Sequence, residues 1–488
     1  MYASNPVAFH VMAQDSNSHV SNTKLKKNVG TFWGAVFQSV SYIAPAGSAA
    51  SFLVVEAGYV GVSIPFTFIL AALGVSSAIF TVYYFSRRMV HAGGYYAYVS
   101  AGLGPKFASV SSWFYIVFML TAISGFAVTF FSGILWPLIP GLSDLSYGWI
   151  PISFIPLSII FLTLFFGLKP SLYYTLIGGA LEIGFLILAS LIIIISVGHN
   201  NTLIPFTPHG NSFGNIGYAT LYAILSFGGV GQVVMISEEM KTPKKSVPSA
   251  IVGALILTAI AFLMISYALV VGWGTSSFGS FSTSTNPGFT VVAKYLGPIG
   301  LIIFVIITLN SFISNGIAEG NSFTRAAFAM ARENIFYPQK YSVLNKYGSP
   351  SRILAIQFIF TVATAYGIGI FVGPFEAGAL LSGFNAVFLY IIHLMMNASL
   401  PIYGKRKLSV KTKDFLILIF APMASMAIYL FAVVSVFYPL PSFPADIATF
   451  ADIVVIVIAI FVGTFLFKNK SKKFLENIGK EKFAEEES

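Results

Sequence analysis

The sequence predicts an all-α polytopic membrane protein with twelve transmembrane helices, the first and sixth of them broken near their middles. Three observations carry this. Hydrophobic residues make up 56% of the 488 positions and charged residues only 9%, with a mean hydropathy of +0.83; a soluble chain is about a quarter charged. Apolar runs of about 20 residues, the length that crosses a bilayer, recur along the whole chain. The basic residues are confined to alternate connections. The same composition excludes disordered, collagenous and disulfide-stapled chains. With no cysteine there is neither a thiolate nucleophile nor a cysteine metal site.

Residues 1–30 are polar and lack the apolar core of a cleaved signal peptide, so none is expected and the segment reads as a tail. Five apolar runs follow, at 33–55, 65–85, 107–135, 150–166 and 172–197. Five more lie at 216–236, 249–273, 297–320, 353–372 and 377–396. The last two are 415–438 and 447–467, and the charged segment 468–488 closes the chain. The third and eighth runs exceed the minimum length, which implies tilt.

Placing the N-terminus inside puts all of the 27 basic residues except Lys294 on the inner side. That asymmetry sets both termini in the cytoplasm and supports the count of twelve, because one run more or fewer would scramble it. The net charge of +10 therefore needs no nucleic-acid partner. The expected partners are the lipid bilayer and a small molecule, and the expected location is the cell membrane.

Two runs are poor for continuous helix: Ala44-Pro45-Ala46-Gly47-Ser48 in the first span and Phe227-Gly228-Gly229-Val230-Gly231 in the sixth. Proline removes a backbone donor and glycine pairs permit unwinding. Each break begins about 11 to 12 residues into its span, near the bilayer midplane. The two spans run in opposite directions. Unwound backbone at that depth must be buried or line a cavity, and paired breaks in two halves point to the binding site of an inverted-repeat transporter. Half-helix N-termini offer N–H groups to a carboxylate, while unwound carbonyls accept an ammonium or a cation. A zwitterionic amino acid matches both. The structural alternative is a proline kink plus a glycine packing seam.

Three further stretches sit on the cytoplasmic side. HAGGYYAYVSAGLGP spans 91–105, SEEMKTPKKSVP spans 237–248, and NSFTRAAFAMAREN spans 321–334. In this order they resemble motifs of the amino acid–polyamine–organocation (APC) superfamily, and the likeness extends over about 33–467. The resemblance implies the leucine-transporter fold: a 5+5 inverted repeat, with residues 31–198 and 199–400 as the halves and 401–467 as two peripheral spans. It also implies secondary transport of amino acids or related amines. By family position, Ala46, Gly47 and Ser48 would donate N–H groups to the substrate carboxylate. Ile43, Ala44, Ser226 and Phe227 would present carbonyls to its amino group, with Phe227 as an aromatic lid and Gly228 beside it. The chain departs from the pattern in carrying a proline in the first break, Gly231 where several members are acidic, and no lysine in the fifth span.

Glu182, mid-way along the fifth span, is the most informative ionisable residue. It suits proton coupling or pairing with a cationic substrate, and the structural alternative is a protonated carboxyl bonded to a neighbouring helix. Glu319, near the inner end of the eighth span and about two turns before Arg325, is expected in an interfacial salt bridge, with a vestibule or coupling role as the alternative, and Glu238 and Glu239 are expected to form an ion network with Lys241, Lys244 and Lys245. Glu56 and Glu376 are expected to be solvated at outer ends. Thr308, Ser311 and Ser314 recur at helical spacing, as sodium ligands or as interhelical glue.

There is no phosphate-binding GxxxxGK[ST], no HExxH and no GxSxG, and the six histidines are scattered. Neither an enzyme nor a cofactor or metal is expected. The sequence reads as a secondary active transporter of amino acids, proton-coupled through Glu182. A polyamine or amine exchanger and a sodium-coupled amino acid carrier are the alternatives.

Overall fold

A computed structural model describes residues 24–407, 412–438, 440, 445–462 and 478–479. The expectations for the tails, 1–30 and 468–488, therefore lie largely outside the described residues. Among those described there is no strand, only an isolated bridge between Gly30 and Met240.

The chain opens with α1 (Phe32–Ile43), whose N-terminus is capped by the Thr31 hydroxyl accepting from the Gly34 amide at 3.2 Å. After one residue comes α2 (Pro45–Val60), then α3 (Ile64–Ser86) and the short α4 (Tyr95–Leu103). The third long element begins as α5 (Pro105–Ala122), widens into a π-helix over Ile123–Phe130, and ends as α6 (Phe131–Leu135). Next come α7 (Trp149–Phe165), α8 (Leu168–Val197) and α9 (Phe213–Ser226), the last followed by turns and a 3-10 helix, Gln232–Glu239. The remaining helices are α10 (Pro243–Trp273), α11 (Pro287–Arg332), α12 (Ser351–Val372), α13 (Pro374–Lys407), α14 (Thr412–Phe437) and α15 (Ala445–Phe461).

Eight helical segments among the described residues are long and apolar enough to cross a membrane. The count falls below the twelve runs of the sequence for physical reasons. The path from α1 through α3 is almost continuous helix and counts once; α9 is cut short by its break; α7 and α15 have 17 residues each. Large side chains such as Leu181, Ile195, Ile299 and Phe371 are 64% to 85% exposed along these helices, which is stable against lipid rather than water. The protein is thus a multi-pass helical membrane protein.

The centre of the bundle is α1 and α2 with α9, held by α8 and α11, while α13 packs on α4, α5 and α14. The first break is narrower than the five-residue run expected. Only Ala44 leaves the helix, at φ 48° and ψ 66°. Pro45 starts a new helix at once, because its missing N–H and fixed φ suit the first helical position. An alanine in the left-handed region costs about 1–2 kcal/mol, and such strain clusters at functional sites. The second break spans the whole run Phe227–Gly231, and beyond it the chain continues as 3-10 rather than α-helix. A third irregularity, Gly297 at φ 68°, divides α11 where the eighth apolar run begins.

Candidate functional site

The two breaks face one small internal cavity of about 40 Å³. By volume it has room for roughly two or three waters and for no amino acid, so this conformation is closed. Tyr42, Ile43 and Phe52 line it from the first break, and Leu225, Gly228 and Gly229 from the second. Its polar lining comes from Asn315 and Glu319 on α11 and from Ser382 and Asn385 on α13.

Glu319 is buried, with Oε2 unpartnered and Oε1 at 3.5 Å from the Asn315 amide nitrogen. Asn315 also donates to the Tyr42 carbonyl, which ties α11 to the turn before the break, and leaves its own Oδ1 unpartnered. Two orphan acceptors thus share one wall. Buried acceptors left without donors are costly, and an ammonium group supplies three N–H donors and a charge. The expected Glu319–Arg325 pair does not form. Arg325 instead donates from Nε to Glu239 Oε2 at 2.8 Å, fully buried, and from an Nη to Asn321. Glu238 likewise pairs with Arg332 rather than with the lysines of its own loop, at 2.7 and 2.9 Å.

On the opposite face of the first break lies the second acidic group. Glu182 Oε1 accepts from the Ala46 amide at 2.6 Å and from the Ser311 hydroxyl at 2.6 Å, and Gly47 donates its amide to that hydroxyl at 3.0 Å. The carboxyl therefore sits on the N-terminus of α2, where the helix dipole and free amides attract negative charge. The third amide, of Ser48, bonds to the Ala44 carbonyl at 2.8 Å. All three amides assigned by resemblance to a substrate are engaged within the protein in this conformation. Thr308 Oγ1 is buried and unpartnered nearby, while Ser314 bonds back to its own helix.

The expected lid is placed elsewhere. Phe227 turns its ring onto Phe262 at 5.1 Å and Phe68 at 6.1 Å, and Ser226 bonds its hydroxyl to the Tyr222 carbonyl. The aromatic wall of the cavity is Phe52, Phe118 and Phe126, the last set there by the π-helix. Glu56 also departs from expectation: it is wholly buried, and Thr67 donates to it at 3.1 Å. Sequence reading held a vestibule role for Glu319 only as the alternative to a salt bridge, and missed Asn315 and Ser382 as cavity residues.

The connections at the end of the bundle that carries most of the basic residues are tied together by ion pairs. His91 Nε2 meets Glu333 Oε1 at 2.7 Å, and Glu238 accepts from the Ala92 amide at 2.8 Å. Burial disfavours the charged His91, but Glu333, its hydrogen bond, and Glu238 beyond it outweigh that and raise its pKa above the ordinary 6.5. Its stabilising contribution is complete below the ordinary value and is lost as pH rises through the raised one. The purified protein is thus expected to unfold at higher temperature near pH 6 than near pH 8, and His91→Gln to flatten that difference. An unchanged slope in the variant would assign it to other groups.

Apolar helices in this number, with a small polar cavity between two facing helix breaks, define a multi-pass membrane protein. Comparison with known proteins agrees. The amino acid permease family model matches residues 34–476, and the chain belongs to that family. It is 25% identical over 407 residues to a serine/threonine exchanger of Bacillus subtilis, covering 80% of this chain and 86% of the relative. It is 30% identical over 149 residues to an uncharacterised amino-acid permease of Schizosaccharomyces pombe, a match covering 29% of this chain and 27% of that relative. A probable amino-acid permease of the same yeast is 25% identical over 240 residues, or 47% of this chain and 41% of the relative.

Proposed function

We propose that this permease is a secondary active transporter that carries amino acids across the cell membrane by alternating access and is coupled to protons. In this reading it has twelve spans with both termini cytoplasmic. The halves 31–198 and 199–400 form the inverted repeat, and 401–467 the peripheral spans. The observation that carries it is the pair of orphan acceptors, Glu319 Oε2 and Asn315 Oδ1, in the cavity where the two helices break.

Glu319 and Asn315 receive the substrate ammonium, together with carbonyls of Ile43, Ala44, Ser226 and Phe227. Gly228 leaves room at the second break. The N-terminus of α2 is the natural seat for the substrate carboxylate, yet Glu182 occupies it through Ala46, with Ser311 carrying the link on to Gly47. A proton on Glu182 removes the charge that holds those amides and turns them, with Ser48, toward the substrate carboxylate. Proton and amino acid then load together. Deprotonation on the inner side restores the cap and expels the substrate.

Gly47 tests this arrangement. A Cβ there would stand 3.0 Å from the Phe312 ring and 3.3 Å from Ser311 Oγ. Gly47→Leu is therefore expected to displace the link between α2 and α11 and to drop uptake to background, with the protein still monodisperse on size exclusion. Retained uptake by a folded variant would remove the first break from the binding site. A second reading, exchange without a coupled ion, draws on the relative from Bacillus subtilis, which is itself named an exchanger. Counterflow without accumulation on a proton gradient would select it. Accumulation only with sodium would point instead to Thr308 and Ser311.

A further inference from the structure

A larger cavity, of about 440 Å³, opens at the end of the bundle that carries few basic residues. Its walls come from the C-terminal part of α2, the middle of α9, the N-terminal parts of α13 and α15, and the end of α14. In the orientation proposed above these helix ends are all outer ends. Asp452 of α15 stands in the wall, wholly buried, and both of its carboxylate oxygens lack a hydrogen-bond partner among the described residues. Glu376 stands exposed at the rim. Opposite is a run of phenol rings: Tyr59 on Tyr218 with centroids 4.5 Å apart, and Tyr218 on Tyr222 at 5.8 Å.

A buried carboxylate with no donor is the costliest kind of unsatisfied group, and within a membrane protein it marks a place where a cation is met. Tyrosine faces attract the same ligand through their quadrupoles. Among the described residues no basic side chain lines the cavity, so nothing described in its walls supplies the charge. We propose that this outer cavity is a second binding site, for small organic ammonium ions, distinct from the cavity at the helix breaks. Phe52 connects the two: it lines the inner cavity, and its ring lies 5.8 Å from that of Tyr222, which lines the outer one. An ammonium-bearing solute held here waits one aromatic layer away from Glu319.

The test uses tetraethylammonium, which has no carboxylate and no N–H donor and so does not answer to the central grip. Binding is followed by saturation-transfer NMR on the full-length protein in lipid nanodiscs. The wild type is expected to bind it, Asp452→Asn to weaken binding by about tenfold or more, and Tyr59→Leu to weaken it less. Glu376→Gln serves as a surface variant should Asp452→Asn not fold, with a smaller loss expected. Glu319→Gln is expected to leave binding unchanged, so the outcome stands apart from the fate of the central site. Equal affinity in wild type and Asp452→Asn, no binding to the folded wild type, or loss of binding in Glu319→Gln would each overturn the proposal.

Discussion

Glu319→Gln, reconstituted in proteoliposomes, is expected to lose amino acid uptake by about two orders of magnitude while folding like the wild type. The magnitude follows from the geometry. Removing one partner of a buried, charge-assisted hydrogen bond costs about 2–5 kcal/mol, and each 1.4 kcal/mol is tenfold. The fold should not suffer, because Glu319 has no cationic partner to orphan: Arg325 is already committed to Glu239 and Asn321. Glutamine can still contact Asn315, so a merely structural role would be spared. A variant with near-normal uptake would move the ammonium site away from α11.

Glu182→Gln should separate coupling from binding. The neutral carboxamide of glutamine stands in for the protonated carboxyl and holds Ala46 and Ser311 less tightly than the carboxylate does, so the α2 amides stay free to meet the substrate. The variant cannot exchange a proton. Accumulation driven by an alkaline lumen is therefore expected to vanish, while counterflow of labelled against unlabelled amino acid continues. Loss of both activities would make Glu182 a packing residue. Preserved accumulation would place the proton elsewhere.

The breaks were legible because proline and a glycine run interrupt otherwise apolar helices, and Glu182 because an isolated carboxylate stands out in such a run. The width of the first break was not. Pro45 signals a helix start as readily as a helix stop, and here it starts α2 directly after Ala44. The membrane character and helical class could be read from composition. The π-helix at Ile123–Phe130 carries no local signal, since the same apolar residues suit either winding.

For Glu319 the salt bridge was preferred to the vestibule for a reason that spacing cannot resolve. Arg325 follows it along one helix, but packing against the second break delivers Arg325 to Glu239, and only the folded bundle shows Glu319 facing a cavity instead. Phe227 shows the reverse error. Its position in the break suggested a lid, whereas Phe68 and Phe262 claim its ring and leave the wall to residues from α2 and the third span.

As proposed, this chain drives amino acids across a membrane with a proton gradient. The most direct test is uptake of a labelled amino acid mixture by proteoliposomes of the purified protein, free of sodium, with the lumen alkaline. The expected result is accumulation above equilibrium that a protonophore collapses. A folded preparation that accumulates no amino acid on the proton gradient, whether or not it exchanges one, would contradict proton-driven transport.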